Sequence, residues 1–369
     1  MTREASSDKL SQAVRLARPD VGAEEAAAVA EVLESGYLTM GPKVAELEAE
    51  LARACGVEHA VAVSSGTAAL HLAMLSLGLS PGDEVLVPAY TFPATANVVA
   101  LSGLRPVLVD VDAESMNVDP ERVAAAVTPR TRAVLVVDLF GRPADWSAIR
   151  AAVPERVLLV EDAAGALGAR WQGRPCGSLG VTGCLSFHPR KIVTTGEGGA
   201  VTTDDPKLAD AIRRLRHHGI EPHGEFEIAQ PGLNYRLADI LCAVGIPQVR
   251  RLEELLVARE RLAEGYAERL ESLDVRLPAA ADGDRHGWQA YVVQVGRRDE
   301  VLALLRAEGI EAQIGTYALH RLAAYRDQGS FRAADEVFER ALALPFHSRL
   351  TASELDRVAE ALTRLVSEW

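Results

Sequence analysis

Lysine is scarce in this chain of 369 residues. It occurs only at positions 9, 43, 191 and 207, against 35 arginines. Arginine stays protonated, so chemistry that needs a free primary amine falls on one of these four side chains. Cysteine is equally sparse: Cys55, Cys176, Cys184 and Cys242 lie far apart, with no C-x-x-C spacing. That argues against a zinc site or a disulfide framework and fits a reducing cytoplasm. No apolar run approaches the roughly 20 residues that span a bilayer. The opening stretch, MTREASSDKLSQAVRLARPD, is mixed in charge and lacks an apolar core, so it does not read as a signal peptide. Positive charge is also in short supply, with 39 Lys+Arg against 52 Asp+Glu and a net charge of −13. A nucleic-acid partner is therefore not expected, because phosphate backbones need clustered basic residues. Small anionic ligands, which need only a local site, remain compatible.

What is present is an ordinary soluble composition, 48% hydrophobic and 25% charged. Short Val/Leu-rich runs read as strands: 59–63, 83–89, 105–111, 132–138, 156–162, 184–187 and 199–203. Helical patterns separate them, as in TAALHLAMLSLG (67–78) and TANVVALSG (95–103). Near-continuous apolar strands spaced by helices predict an α/β fold with a mostly parallel sheet covered on both faces. After Gly245 the texture changes. Residues 246–273 read as one long charged helix, followed by a Pro/Gly/Asp-rich stretch (278–287), a strand (288–295) and a helix (299–309). Thr351 and Glu354 fit a capping box that opens the last helix. The expected organisation is an N-terminal segment (1–21) near the small domain, a large domain (22–247) and a smaller C-terminal α/β domain (248–369).

Three motifs carry chemistry. SSGTAALHLA (64–73) sits where a strand gives way to a helix, and free N–H groups at such a start favour phosphate; Ser65 or Thr67 could equally be a plain helix cap. In VEDAAGALGA (160–169), Asp162 ends a buried strand, where open α/β sheets place their ligands. It could also cap the next helix. SFHPRKIVTTGEGGAVTTDD (186–205) holds Lys191 between two short strands. Its TTGEGG run lacks the G-K-[ST] of a P-loop. His188 has no second ligand at metal spacing, so no metal is expected. Of the four lysines only Lys191 has active-site surroundings. An Asp at a strand end and a lysine further on suit pyridoxal 5'-phosphate (PLP), which needs a covalent lysine, a carboxylate on its ring nitrogen and a phosphate cradle. Neither G-x-S-x-G nor G-x-G-x-x-G follows an early strand, which disfavours hydrolase and dinucleotide readings.

Taken together, GYLTMGPKVAELE, SSGTAAL, PAYTFPATAN, VDVD, EDAA, SFHPRKIVTTGEGG, LRHHG, GLNYRLADI and LPFHSRLT closely resemble the DegT/StrS nucleotide-sugar aminotransferases, a family of fold-type-I PLP-dependent enzymes. The resemblance spans nearly the whole chain and implies roles position by position. Lys191 would hold PLP and shuttle the proton, and Asp162 would pair with the ring nitrogen. Phe92 would stack on the ring. Gly66, Thr67 and Ser186 would hold the phosphate, and Asn234 would reach the phosphate of a neighbouring subunit; a helix cap is its plain alternative. Tyr317, His320 and His188 would lie near the sugar. Where the family usually has Gln or His after EDAA, this chain has Gly165. The resemblance further implies a cytoplasmic homodimer with shared active sites. It would use L-glutamate and a nucleotide-diphospho-keto-sugar, foremost a dTDP-4-keto-6-deoxy sugar. Rival readings are a PLP-dependent sugar dehydratase, whose branch has histidine in place of the lysine, and a PLP-binding regulator without turnover.

Overall fold

The computed structural model describes residues 13–221 and 226–367. The expected strands form one seven-stranded sheet: β1 (His59–Val63), β2 (Glu84–Pro88), β3 (Arg105–Val109), β4 (Thr131–Val137), β5 (Leu158–Asp162), β6 (Thr182–Ser186) and β7 (Gly199–Thr203). Their spatial order is β1-β7-β6-β5-β4-β2-β3. Only β7 runs antiparallel to its neighbours; the remaining ladders are parallel. Both faces are buried, as the unbroken apolar strands require. Along β4, Ala133, Leu135 and Val137 pack into one core, while Val134 and Val136 pack into another on the opposite face. Each of the Val and Leu side chains contributes about 1.5–3 kcal/mol when fully buried.

A parallel sheet brings the carboxyl ends of its strands to one edge, and the connections leaving that edge build the site. β1 runs into the helix Gly66–Ser76, and β5 ends at Asp162. β6 ends at Ser186 and enters the loop that carries Lys191 before the chain returns in β7. This loop is pinned from inside. The buried Gln248 amide accepts from Thr194 N (3.0 Å) and donates to Thr194 O (2.8 Å) and Val244 O (2.7 Å). Thr195 N donates to Phe187 O at 3.0 Å and Phe187 N to Gly198 O at 2.8 Å.

The C-terminal part adds a three-stranded antiparallel sheet, β8 (Tyr291–Gln294), β9 (Gln313–Ile314) and β10 (Ala341–Leu344), in the order β8-β10-β9. Tyr317–Ala318 pairs with Tyr90–Thr91, which stitches this part onto the chain just beyond β2. Residues 13–21 lie along it: Val14 exchanges backbone hydrogen bonds with Gly309 and Glu311, both at 2.9 Å. Residues 1–12, with Lys9, lie outside the described residues. The capping box is present, with Thr351 Oγ1 accepting from Glu354 N and Glu354 Oε2 accepting from Thr351 N.

One expectation needs correction. The stretch 246–273 is not one helix but parts of two, Asp239–Arg250 and Leu252–Leu270, broken at Arg251. The Arg251 guanidinium leaves the helix line to meet Asp20 and Glu25. The second helix then buries Leu255 and Leu256 against the large sheet's covering layer, and Tyr266 and Leu270 in the C-terminal core. Periodicity alone could not show this break, because the pattern on either side of it is helical.

Replacing Gln248 by Leu keeps the volume but strands the Thr194 N–H and C=O. Each buried unsatisfied group costs about 1–3 kcal/mol. Urea unfolding of Gln248→Leu is expected to show a loss of about 3 kcal/mol. An unchanged midpoint and slope would contradict this anchoring.

Candidate active site

A cavity of about 610 Å³ opens over the carboxyl edge of the large sheet and under the C-terminal part. Gly66, Thr67, Phe92, Asp162, Ser186, His188, Lys191 and Tyr317, all singled out in the sequence, line it.

The floor is built at helix starts and strand ends. Ser65 is indeed the N-cap, its Oγ accepting from Ala68 N at 3.0 Å. Gly66 and Thr67, the first two residues of the helix, both line the cavity, and N–H groups at this position have no partner within the helix. Gly66 has to be glycine. A Cβ there would stand 2.7 Å from the Ser186 Cβ and 3.0 Å from its Oγ. Free N–H groups at a helix start beside a hydroxyl suit a phosphate.

Asp162 is buried. Its Oδ2 accepts from Thr95 Oγ1 at 2.9 Å and its Oδ1 from Ala164 N at 3.2 Å. Burial raises its pKa, while Thr95, Ala164 N and the Lys191 charge work against that rise. Lys191 is placed by the loop, with its N–H donating to His188 O at 2.8 Å. Its amine makes no ion pair among the described residues. Desolvation pulls its pKa from the ordinary 10.5 down to about 8, although the Asp162 carboxylate pushes the other way. A lysine so tuned has a substantial neutral, nucleophilic fraction near neutrality. The other described lysines differ. Lys43 is ion-paired with Glu31 and Glu46, and Lys207 sits in the first turn of an outer helix.

Phe92 is 61% exposed and meets Tyr317 edge to face, ring centroids 6.2 Å apart. Tyr317 reaches the cavity because its strand pairs with Tyr90–Thr91. The remaining expected residues do not join this group. His320 is buried elsewhere, its Nε2 on Asp335 Oδ1 at 2.9 Å and its ring against Phe331. Asn234 is exposed, away from this chain's cavity. Nor is it a helix cap, since the N-cap position of the following helix belongs to Ala238.

Several lining residues escaped the sequence reading. Thr95 holds Asp162, Phe140 and Asp138 follow β4, and Gln289, Arg190 and Gln313 project from loops and from β9. The Gly165 gap is partly filled from the C-terminal part: a Cβ there would lie 3.3 Å from Gln289 Oε1. Behind the floor, one oxygen each of Asp138 and Glu161 and the Cys176 Sγ lie within 4.8 Å of one another. Glu161 accepts from Gly177 N and Leu179 N, and Asp138 from Ala144 N and Trp146 Nε1. Burial raises the pKa of both carboxyls, and the Asp138 charge raises that of Glu161 further, so the pair keeps a proton.

The profile of the DegT/DnrJ/EryC1/StrS aminotransferase family matches residues 19–363, and the chain belongs to that family. GDP-perosamine synthase of Caulobacter vibrioides is 38% identical over 364 residues, covering 96% of this chain and 98% of that protein. The aminotransferase TlmJ from Streptoalloteichus hindustanus superposes with a TM-score of 0.92 at 36% identity, covering 96% and 99%. The PLP form of the sugar aminotransferase Spr1654 from Streptococcus pneumoniae gives a TM-score of 0.92 at 28% identity, covering 96% and 99%. The chain is thus a PLP-dependent nucleotide-sugar aminotransferase. Its own residues fit that cofactor: free N–H groups beside a hydroxyl, a buried carboxylate and an unpaired amine share one cavity.

In cofactor-free protein, modification of Lys191 by an amine-reactive ester is expected to rise with pH through about 8. Asp162→Asn removes the charge that favours the ammonium, so its midpoint should lie lower still. Peptide mass mapping measures both. A midpoint at an ordinary lysine value in either protein would contradict the electrostatic account.

Proposed function

We propose that this enzyme transfers an amino group from L-glutamate to the keto carbon of a nucleotide-diphospho sugar, with a dTDP-linked 4-keto-6-deoxy sugar as the foremost acceptor. The observation that carries the reading is the unpaired Lys191 amine sharing a cavity with the buried Asp162 carboxylate. PLP, when bound, supplies an electron-accepting ring and a carbonyl that takes up and releases the amino group. Gly66 N, Thr67 N and Ser186 Oγ would hold its phosphate. Asp162, kept in place by Thr95, would hold a proton at the ring nitrogen. Phe92 would cover the ring face. Lys191 Nζ would anchor the cofactor and, once displaced by the donor, take the proton from the donor Cα. In the return half-reaction the same amine would deliver a proton to the former keto carbon of the sugar. Tyr317 and His188 stand at the cavity wall where the sugar would lie. The name of the perosamine synthase relative makes GDP the second nucleotide to test.

The working unit in this reading is a homodimer. Asn234 is exposed, caps no helix and lies off its own cavity. Those facts support the reading that it serves the phosphate of a partner subunit. The division at 247/248 into a large PLP-binding domain and a small C-terminal domain is retained, with the helix pair around Arg251 as their joint. Among the described residues no helix is long and apolar enough to cross a membrane, and a cytoplasmic setting is part of the proposal.

Two experiments test this reading. Lys191→Arg should lose turnover with glutamate and ketosugar, and should retain no cofactor mass after borohydride reduction, because the guanidinium cannot form the covalent link. Lys43→Arg and Lys207→Arg should behave as the parent. Retained cofactor mass in Lys191→Arg would refute the assignment. In the second, Lys191→Ala and Asn234→Asp, each inactive alone, are co-expressed. Hybrid dimers should regain at most about half the parental activity, since a two-fold assembly leaves one site whole. No recovery in confirmed hybrids of folded parents would count against a shared site.

A further inference from the structure

Both substrates of the proposed reaction are anions, yet the cavity wall offers them acidic groups. Three carboxyl side chains line it, those of Asp138, Asp162 and Glu197. Its basic lining residues among those described are His188, Arg190 and Lys191. Lys191 is committed to amine chemistry. His188 is pushed toward its neutral form by desolvation. Arg190 is therefore the permanent cation that this chain places on the wall.

Its surroundings fit a binding role better than a structural one. Arg190 is exposed, and Nη1 donates to Gln313 Oε1, a neutral amide on β9. No carboxylate pairs with it among the described residues. It also stands at a junction. A second cavity of about 700 Å³ shares Leu16, Ala17, His188, Arg190 and Gln313 with the first. A ligand reaching from one space into the other would pass the guanidinium. An amide oxygen is a modest partner for that fork, whereas a carboxylate or phosphate accepts two parallel, charge-assisted bonds from it.

The geometry points to Arg190 as the residue that binds the anionic group of the substrates, exchanging Gln313 for carboxylate or diphosphate oxygens. The group is either the carboxylate of the amino donor or the diphosphate of the sugar nucleotide. This inference rests on the function proposed above. Gln313 is then a positioning residue, holding the guanidinium at the junction of the two spaces until a ligand arrives.

The test uses PLP-loaded Arg190→Gln and Arg190→Lys proteins. Each half-reaction is followed in single turnovers by cofactor absorbance, first with glutamate and then with the ketosugar. Calorimetry measures the binding of glutarate and of inorganic pyrophosphate, two anions that do not react. Losing a charge-assisted contact should weaken apparent affinity on the order of 10- to 100-fold in Arg190→Gln, and less in Arg190→Lys, which keeps charge but not the fork. A loss in the glutamate arm with glutarate identifies the carboxylate. A loss in the sugar arm with pyrophosphate identifies the diphosphate. Unchanged affinity in all four measurements, or a fall confined to the limiting rate, would overturn the assignment. If parental protein binds either anion through Arg190 but aminates no ketosugar, the proposed function fails while the anion site stands.

Discussion

The site depends on keeping the desolvated Lys191 amine, which has no ion pair among the described residues, inside the cavity. Burying a charged or polar group without a partner costs several kcal/mol, and a loose loop would relieve that cost by swinging Lys191 into water. The structure prevents this from outside the cavity. The Gln248 amide grips both backbone groups of Thr194, and the loop closes on itself through Phe187, Thr195 and Gly198. The amine is thus held by residues that do not line the cavity. Its depressed pKa follows from that confinement.

The rest of the cavity is assembled by one topological fact. Strands that run the same way end at the same edge, so the Gly66 helix start, Asp162 and Ser186 meet although they are far apart in sequence. The short pairing of Tyr317–Ala318 with Tyr90–Thr91, and the bond from Thr316 N to the Tyr90 hydroxyl at 3.1 Å, fix the C-terminal roof above them. Phe92 and Tyr317 come into contact through that seam.

Legibility followed range. β1 and β7 were readable to the residue, because apolar runs bounded by turns need no distant information, and Asp162 and Lys191 stood out by chemistry and position. Thr95, Gln248, Arg190 and Gln313 were silent. Each acquires its meaning from a partner dozens of residues away or more, which neither periodicity nor a motif names. The two-residue strand β9 is too short to show alternation. His320 shows the opposite case: its sequence neighbours point to the sugar pocket, while in this chain its ring packs on Phe331 and meets Asp335. The break at Arg251 was hidden because the periodicity on either side of it is helical.

The Asp138–Glu161 pair behind the floor has a consequence of its own. In the unfolded chain at neutral pH both carboxyls are ionised, but the folded pair retains a proton because burial raises both pKa values and the Asp138 charge raises that of Glu161 further. Folding of the cofactor-free chain therefore draws a proton from solution. By linkage, the stabilising share of this pair is fully present below the ordinary carboxylate range and is lost as pH rises through the raised folded values. The measured heat of unfolding should consequently vary with the ionisation enthalpy of the buffer, leaving a calorimetric signature of two acids that share one proton.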